Sequence, residues 1–292
     1  MNIWCDTRAA FGELERVMVH ARALVEPDLL ARRTAPAWCS ACGTVREMRV
    51  SAGDGAEPWR NLLEGMICPC GLNGRMRLML GLIDEVTRRH DVSRCATFER
   101  LTPMFGFMQQ RLPGLVGSEY LGEEVRGGET RMVRGTSVRH ENIMASSYAD
   151  ASLDLVIHCD VLEHVPDAQA ALRDNARILA PGGTMLFSLP FYHTLDRHLV
   201  RARLGAGGIE HLMPEVFHGN PVTQGGALVF IHPGWELFDQ LRAAGFAHTW
   251  IVARYDPVHG IVSNGCPYRD GHMWPVAIAA RHQPLQSTRR GS

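Results

Sequence analysis

From about residue 92 onward the hydrophobic positions switch between short continuous runs and stripes at three- and four-residue spacing. A short apolar run bounded by turn residues fits a strand buried on both faces, and a helical stripe fits a helix laid on a sheet. The clearest unit spans residues 153–190. Leu153, Leu155, Val156 and Ile157 form one run, and Met185, Leu186, Phe187 and Leu189 form another. Between them Val165, Ala168, Ala171, Leu172, Ala176 and Leu179 recur on one helical face. Pro181-Gly182-Gly183 is expected to stop that helix, because proline cannot continue it and glycine takes the left-handed turn. The unit predicts a strand–helix–strand crossover. The same reading predicts strands near 92–98, 115–120, 136–141, 153–159, 183–189, 246–253 and 273–281, with helices at about 101–112 and 235–244. Such alternation gives an α/β fold, a doubly wound, mostly parallel sheet covered on both faces.

Upstream, Phe11, Leu14, Val17, Met18, Ala21 and Leu24 predict a helix over about 7–33 that is broken by Pro27. A second helix is predicted at about 74–90, with Met76, Met79, Leu80, Leu82, Ile83 and Val86 on its apolar side. Residues 39–72 between them have poor periodicity and contain the turn-rich stretch SAGDGAEP from Ser51, which fits a metal-stapled knuckle better than a hydrophobic core. The expected division is a helical cap at 1–38, a four-cysteine segment at 39–72 and the α/β domain at 73–292. Residues 191–230, rich in Gly, Pro and His, are too long for a plain connection and read as an insertion over the substrate.

Composition changes this picture little. The 292 residues, 46% hydrophobic, suffice for a large core and an appendage. Thirty basic against 31 acidic residues leave a formal charge of −1, which gives no whole-chain footprint for nucleic acid or an anionic membrane. The start, MNIWCDTRAAF, lacks the basic-then-apolar plan of a signal peptide, and no apolar run reaches about 18 residues, so a cytoplasmic location is expected. Cys39-x-x-Cys42 and Cys68-x-Cys70, with 25 residues between the pairs, offer four thiolates for a tetrahedral zinc ion. A full thiolate set leaves no open position for water, so the expected role is structural. Cys5, Cys95, Cys159 and Cys266 read as small buried hydrophobes.

The ordered run DVLEHVPD (160–167) followed by RILAPGG (177–183) resembles the class I S-adenosylmethionine-dependent methyltransferases of the methyltransferase type 11-like kind. The resemblance spans roughly residues 90–282 and is closest to a bacterial subgroup with a cysteine-bearing N-terminal segment. It includes Cys70-Gly71-Leu72-Asn73 through Arg77, GSEYLG at 117–122, HGNP at 218–221 and Gly234-Trp235. It implies a seven-stranded Rossmann-like sheet and S-adenosyl-L-methionine as cofactor. Glu119, at the end of the second strand, is then expected to accept from the ribose hydroxyls, with Tyr120 and Leu121 beside it, Tyr120 either on adenine or in the core. After the third strand lies His140-Glu141-Asn142-Ile143, where Asn142 falls on the usual adenine-binding acid and Glu141 is the alternative. Cys159, Asp160 and Val161 are expected under the methionine arm. One departure stands out: residues 94–102 contain no glycine where such enzymes carry a glycine-rich turn. Glu99 in that turn remains a candidate for the cofactor's amino group.

Methyl transfer requires alignment of the nucleophile and removal of a proton, for which histidine is suited near neutral pH. His164 after the fourth strand, His193 after the fifth and His218 in the insertion are the catalytic candidates, with Asp270-Gly271-His272 a further one. DVLE stands where base- and glutamine-directed amino methyltransferases carry an NPPY-like tetrapeptide, which argues against that class. The leading expectation is a small-molecule acceptor methylated at oxygen or nitrogen. The alternatives are an RNA or protein methyltransferase gripping its substrate through a basic face of Arg46, Arg49, Arg60, Arg75 and Arg77, or a non-catalytic cofactor-binding protein.

Overall fold

A computed structural model describes residues 1–51, 61–223, 225–265 and 274–283. In chain order β1 (Ile3–Cys5) leads into α1 (Arg8–Leu30), then β2 (Thr34–Cys39), β3 (Thr44–Val50), the single turn α2 (Leu62–Gly65), β4 (Met66–Ile67) and α3 (Gly74–Arg89). The α/β region continues with β5 (Cys95–Thr97), α4 (Pro103–Arg111), β6 (Leu115–Glu119), β7 (Thr130–Val133), β8 (Thr136–His140), β9 (Leu153–Cys159), α5 (Ala168–Ile178) and β10 (Leu179–Ser188). After the insertion come α6 (Glu236–Ala243), β17 (His248–Ala253) and β18 (Val276–Arg281). The insertion itself holds β11 (Leu199–Val200), β12 (Ala202–Gly205), β13 (Gly208–His211), β14 (Phe217–His218), β15 (Ala227–Leu228) and β16 (Ile231–His232).

The large sheet has nine strands in the order β1-β17-β18-β10-β9-β5-β6-β8-β7. From β10 through β8 the neighbours are parallel, while β18 runs antiparallel to both β10 and β17. The seven predicted strands are all present, and β1 and β7 lengthen the two edges by antiparallel pairing. In β9 successive residues feed opposite cores. Val156 packs with Phe11 and Met18 of α1 and with apolar residues of α5 and α6, whereas Leu155 and Ile157 pack with α3 and α4. Both faces are therefore covered, as the continuous apolar runs require.

Two local expectations fail for physical reasons. The α5 helix ends at Ile178, before Pro181, because Leu179 already pairs with Leu153; the strand then shifts register before Thr184, with Gly182 at φ +79°. In α1, Val17 and Leu24 are 65% and 83% exposed, and only Phe11, Met18 and Glu26 are buried, so the predicted stripe is narrower than its spacing implied. Pro27 lies within the helix rather than ending it.

The strands β2, β3 and β4 form a three-stranded antiparallel sheet, in that order, over a small core of Ala35, Ala37, Cys39, Met48, Val50, Leu62, Met66 and Cys68. Ala52 to Pro58 of the turn-rich stretch, Cys266 and Asp270-Gly271-His272 lie outside the described residues. Among the described residues no helix is long and apolar enough to cross a membrane. The insertion is a set of short two-stranded ladders, β11-β16, β12-β13 and β14-β15, tied to the sheet by the bond from Phe230 N to Glu163 O (2.8 Å).

Asp154 fixes the entrance to this sheet, accepting from Ser93 N (3.2 Å), Arg94 N (3.0 Å) and the Arg94 guanidinium. Arg94 and these amides hold its carboxyl down at about 2. Because the folded value lies below the unfolded one, the stabilisation is complete above about pH 4 and is lost as pH falls toward about 2. Asp154→Asn is expected to cost about 1–2 kcal/mol at neutral pH, allowing for solvent screening at Arg94, in urea titration. The difference from wild type should shrink as pH falls toward about 2 and vanish only below it.

Candidate active site

The chain builds outward from β5 to β6 and β8 on one side and from β9 to β10 on the other, so the carboxyl ends of β5 and β9 frame the crevice where strand order reverses. Ligands of open α/β sheets bind there. Glu99 follows β5, Asp160 follows β9, and Arg75, in the first turn of α3, reaches between them. Its Nε lies 2.8 Å from Glu64 Oε1 and 3.1 Å from Asp160 Oδ2. The Asn73 side chain caps α3 by accepting from Met76 N (2.9 Å), which sets the direction from which Arg75 enters. Asp160 itself is held at φ +52°. Glu99 accepts from the Thr102 hydroxyl through Oε1, while its buried Oε2 has no hydrogen-bond partner. Burial raises the Glu99 carboxyl pKa, with Thr102 and Arg75 opposing.

The missing glycine turn is explained by Glu119. Its Oε1 accepts from Arg100 N (2.9 Å) and Leu101 N (2.8 Å), so a carboxylate from β6 braces residues 99–102 without any left-handed residue. Burial raises the pKa of this group too, against those two amides. Next to it Tyr120 is half exposed with its ring 5.4 Å from that of His140, and Leu121 N donates to His140 Nδ1 (2.9 Å). Glu141 is fully committed to its own loop: Oε1 takes Arg139 and the Ser147 hydroxyl, and Oε2 takes Ser147 N (2.7 Å). Asn142 Oδ1 accepts from Met144 N (2.9 Å) in a local turn, while Ile143 and Cys159 belong to the core clusters.

A second polar set lies just beyond β9. Val161 leads into the 3-10 turn Leu162–His164, where the Glu163 side chain is 0% exposed and neither oxygen has a hydrogen-bond partner. His164 Nε2 is 3.6 Å and His218 Nδ1 3.9 Å from Glu163 Oε1, and the two imidazoles meet edge to face at 5.0 Å. Burial, then Asp160, drives the Glu163 carboxyl well above the usual range, and burial pushes His164 down. His164 and His218 are thus brought together with an acid that the sequence reading passed over. His193 is elsewhere: it is buried, its Nε2 pairs with Glu15 of α1 at 2.6 Å, and Glu15 also takes Trp274 Nε1 (2.7 Å).

The cysteine pairs converge as their spacing predicts. Cys39 and Cys70 sulfurs are 3.8 Å apart, Cys42 and Cys68 3.9 Å, and all four lie within 4.8 Å of one another. Disulfides would need about 2.05 Å. A tetrahedron with bonds of about 2.3 Å to zinc has edges of about 3.8 Å. Backbone amides point at the sulfurs: Ala41 and Cys42 N–H at Cys39, Cys70 N–H at Cys68, Leu72 N–H at Cys70. Burial raises Cys68 to about 11, while at Cys39 the hydrogen bonds outweigh burial and the pKa falls.

Among the described residues, the basic face that would favour the RNA alternative does not form. Arg77 is 1% exposed, and the Arg75 side chain is 17% exposed and turned into the cleft. Two residues apart on a helix, the two point to different sides. Arg60 lies outside the described residues, which leaves Arg46 and Arg49 on the surface of β3.

A methyltransferase domain model matches residues 115–187, which run from β6 through β10. A ubiquinone biosynthesis O-methyltransferase of Idiomarina loihiensis is 35% identical over 132 residues, 44% of this chain and 50% of that protein. One of Methylococcus capsulatus is 33% identical over 104 residues, 34% of this chain and 42% of its own. A probable S-adenosylmethionine-dependent methyltransferase of Mycolicibacterium smegmatis is 33% identical over 131 residues, 39% of this chain and 49% of that one. Among solved structures, an S-adenosylmethionine-dependent methyltransferase of Mesorhizobium loti superposes with a TM-score of 0.42 at 18% identity, covering 70% of this chain and 98% of its own. Residues 115–187 thus match a methyltransferase domain, and the chain is similar over part of its length to S-adenosylmethionine-dependent methyltransferases. It spans about half the length of the relatives it matches.

Proposed function

We propose that the protein methylates a small molecule at a hydroxyl oxygen, with S-adenosyl-L-methionine in the β5/β9 crevice and a structural zinc ion on Cys39, Cys42, Cys68 and Cys70. The observation that carries the cofactor reading is the buried, unbonded Glu99 Oε2 beside Arg75. An acceptor and a guanidinium side by side complement the ammonium and carboxylate of an amino acid. Glu119 Oε2 would take the ribose hydroxyls while Oε1 keeps its brace, and Asn142 stands for the adenine edge in place of the saturated Glu141. When bound, the cofactor supplies an electrophilic methyl group on a sulfonium. The Glu163–His164–His218 set, covered by the insertion, would meet the acceptor's hydroxyl. Oxygen is favoured over nitrogen by the relatives named for O-methyl transfer. The inward-turned Arg75 and Arg77 weigh against the reading in which they grip RNA.

Calorimetry with the cofactor, followed by turnover against hydroxylated metabolites with detection of S-adenosylhomocysteine, tests the proposal; no binding at millimolar cofactor would sink it. Glu119→Gln keeps an amide oxygen for the turn but puts a donor where the ribose needs an acceptor. It should weaken cofactor binding at least about tenfold while the melting temperature stays within about 2 °C. Unchanged affinity would make Glu119 a brace alone.

A further inference from the structure

Arg75 has more counter-charge than it needs. Its Nε lies 2.8 Å from Glu64 Oε1 and 3.1 Å from Asp160 Oδ2, so two carboxylates flank one guanidinium where the methionine end of a cofactor would lie. A guanidinium that only grips a ligand carboxylate requires no such neighbours, and each of them weakens the grip. Glu64 is also no loose surface acid. Asn61 caps its turn by accepting from Glu64 N (3.0 Å), and Glu64 Oε2 takes the Asn73 side chain, so the carboxylate is held from both ends. Glu99 adds a buried carboxyl whose Oε2 is unbonded, while the Arg100 guanidinium is placed over the Phe105 ring, 4.2 Å from its centroid. Among the described residues, the charge around Arg75 is therefore negative on balance.

We propose that Glu64, together with Asp160, makes the crevice discriminate by charge, favouring S-adenosyl-L-methionine over S-adenosylhomocysteine. The two ligands share their ammonium, carboxylate, ribose and adenine, and differ by one methyl group and the positive charge on sulfur. Contacts to the shared parts cannot tell them apart. A negative surround can. Only two methylene groups separate the sulfur from the amino acid's α carbon, so a sulfonium falls within the field of carboxylates placed at that end. The burial of Glu99, 5% exposed, keeps water from screening that field on one side. Glu64 comes from α2, between β3 and β4 of the cysteine sheet, which gives that segment a part in ligand choice. The inference rests on the cofactor reading of the crevice and adds to it a specificity-determining residue.

The test is a ratio of two dissociation constants, that of S-adenosylhomocysteine over that of S-adenosyl-L-methionine, measured by calorimetry on the full chain. In wild type the ratio should exceed one. Glu64→Gln removes the charge and keeps an amide oxygen for Arg75, and it should cut the ratio about three- to tenfold, the size expected for one carboxylate near a partly solvated charge. Asp160→Asn should do the same. Asparagine tolerates the φ of +52° at that position, which covers the case in which Glu64→Gln loosens the start of α3. A role in folding alone would weaken both ligands together and leave the ratio as it was. A wild-type ratio at or below one, or a ratio unchanged in a folded variant, would overturn the inference and leave the cofactor reading intact. Binding of neither ligand at millimolar concentration would reject the cofactor reading and this inference with it.

Discussion

Chelation of the purified chain should release about one zinc ion per molecule and open the sheet β2-β3-β4 to protease. The expectation follows from how little else holds that sheet. Its core is mostly alanine, methionine and sulfur, and part of that sulfur belongs to the cysteines themselves. Ordering each residue costs about 1.5 kcal/mol, which so small a core cannot offset, whereas a structural zinc contributes about 10–16 kcal/mol. The loss should travel. Cys68 and Cys70 immediately precede Leu72, whose carbonyl anchors Arg77, and Asn73, which caps the helix carrying Arg75. Metal-free protein should therefore bind cofactor more weakly. Metal analysis, limited proteolysis across residues 34–72 and cofactor calorimetry before and after chelation measure the three effects. Finding no zinc, or an unchanged proteolytic pattern, would remove the metal from this account. Cys70→Ser should reproduce the chelated state.

The framework of the α/β domain was legible because β9, α5 and β10 are specified locally, by apolar period and by caps such as Asp167, which accepts from Ala170 N (2.8 Å). The edge strands were not. Ile3–Cys5 is three residues long, and Thr130–Val133 buries almost nothing, so neither carries a pattern that a window can detect. At the site, sequence position placed Glu99, Glu119 and Asp160 at strand ends but could not say what each bonds. The brace from Glu119 to residues 100 and 101 joins segments far apart in the chain, and the saturation of Glu141 depends on Ser147 after a turn. His164 was singled out and Glu163 beside it was not, because a carboxylate in a turn is usually solvated. The usable signal was a Glu within the turn directly after a strand buried on both faces. For the arginines the signal was the two-residue spacing itself, which cannot keep both on one helix face.

That division of labour makes Arg77 the most consequential single residue outside the four cysteines. Its guanidinium donates to His259 O (Nε, 2.9 Å), Leu72 O (Nη1, 2.6 Å), and Met66 O and Gly260 O (Nη2, 3.1 and 2.7 Å). One side chain thus ties together the end of the cysteine sheet, the entry to α3 and the turn before the last strand. Burial lowers its pKa, and the cysteine thiolates oppose that fall. Four thiolates around zinc leave a net charge of −2, and a buried guanidinium is a fitting counter-charge for it. Arg77→Met should fill much the same volume yet leave those carbonyls without donors, at an expected cost of about 3–5 kcal/mol in urea or guanidinium unfolding. Arg77→Lys should recover little of it, because an ammonium has three donors on a single atom and cannot span carbonyls placed around a planar fork. Both variants should also hold zinc less tightly, since the counter-charge or its geometry is gone. A methionine variant within about 1 kcal/mol of wild type would mean that the carbonyls find other donors, and that the link between the cysteine sheet and the β5/β9 crevice runs elsewhere.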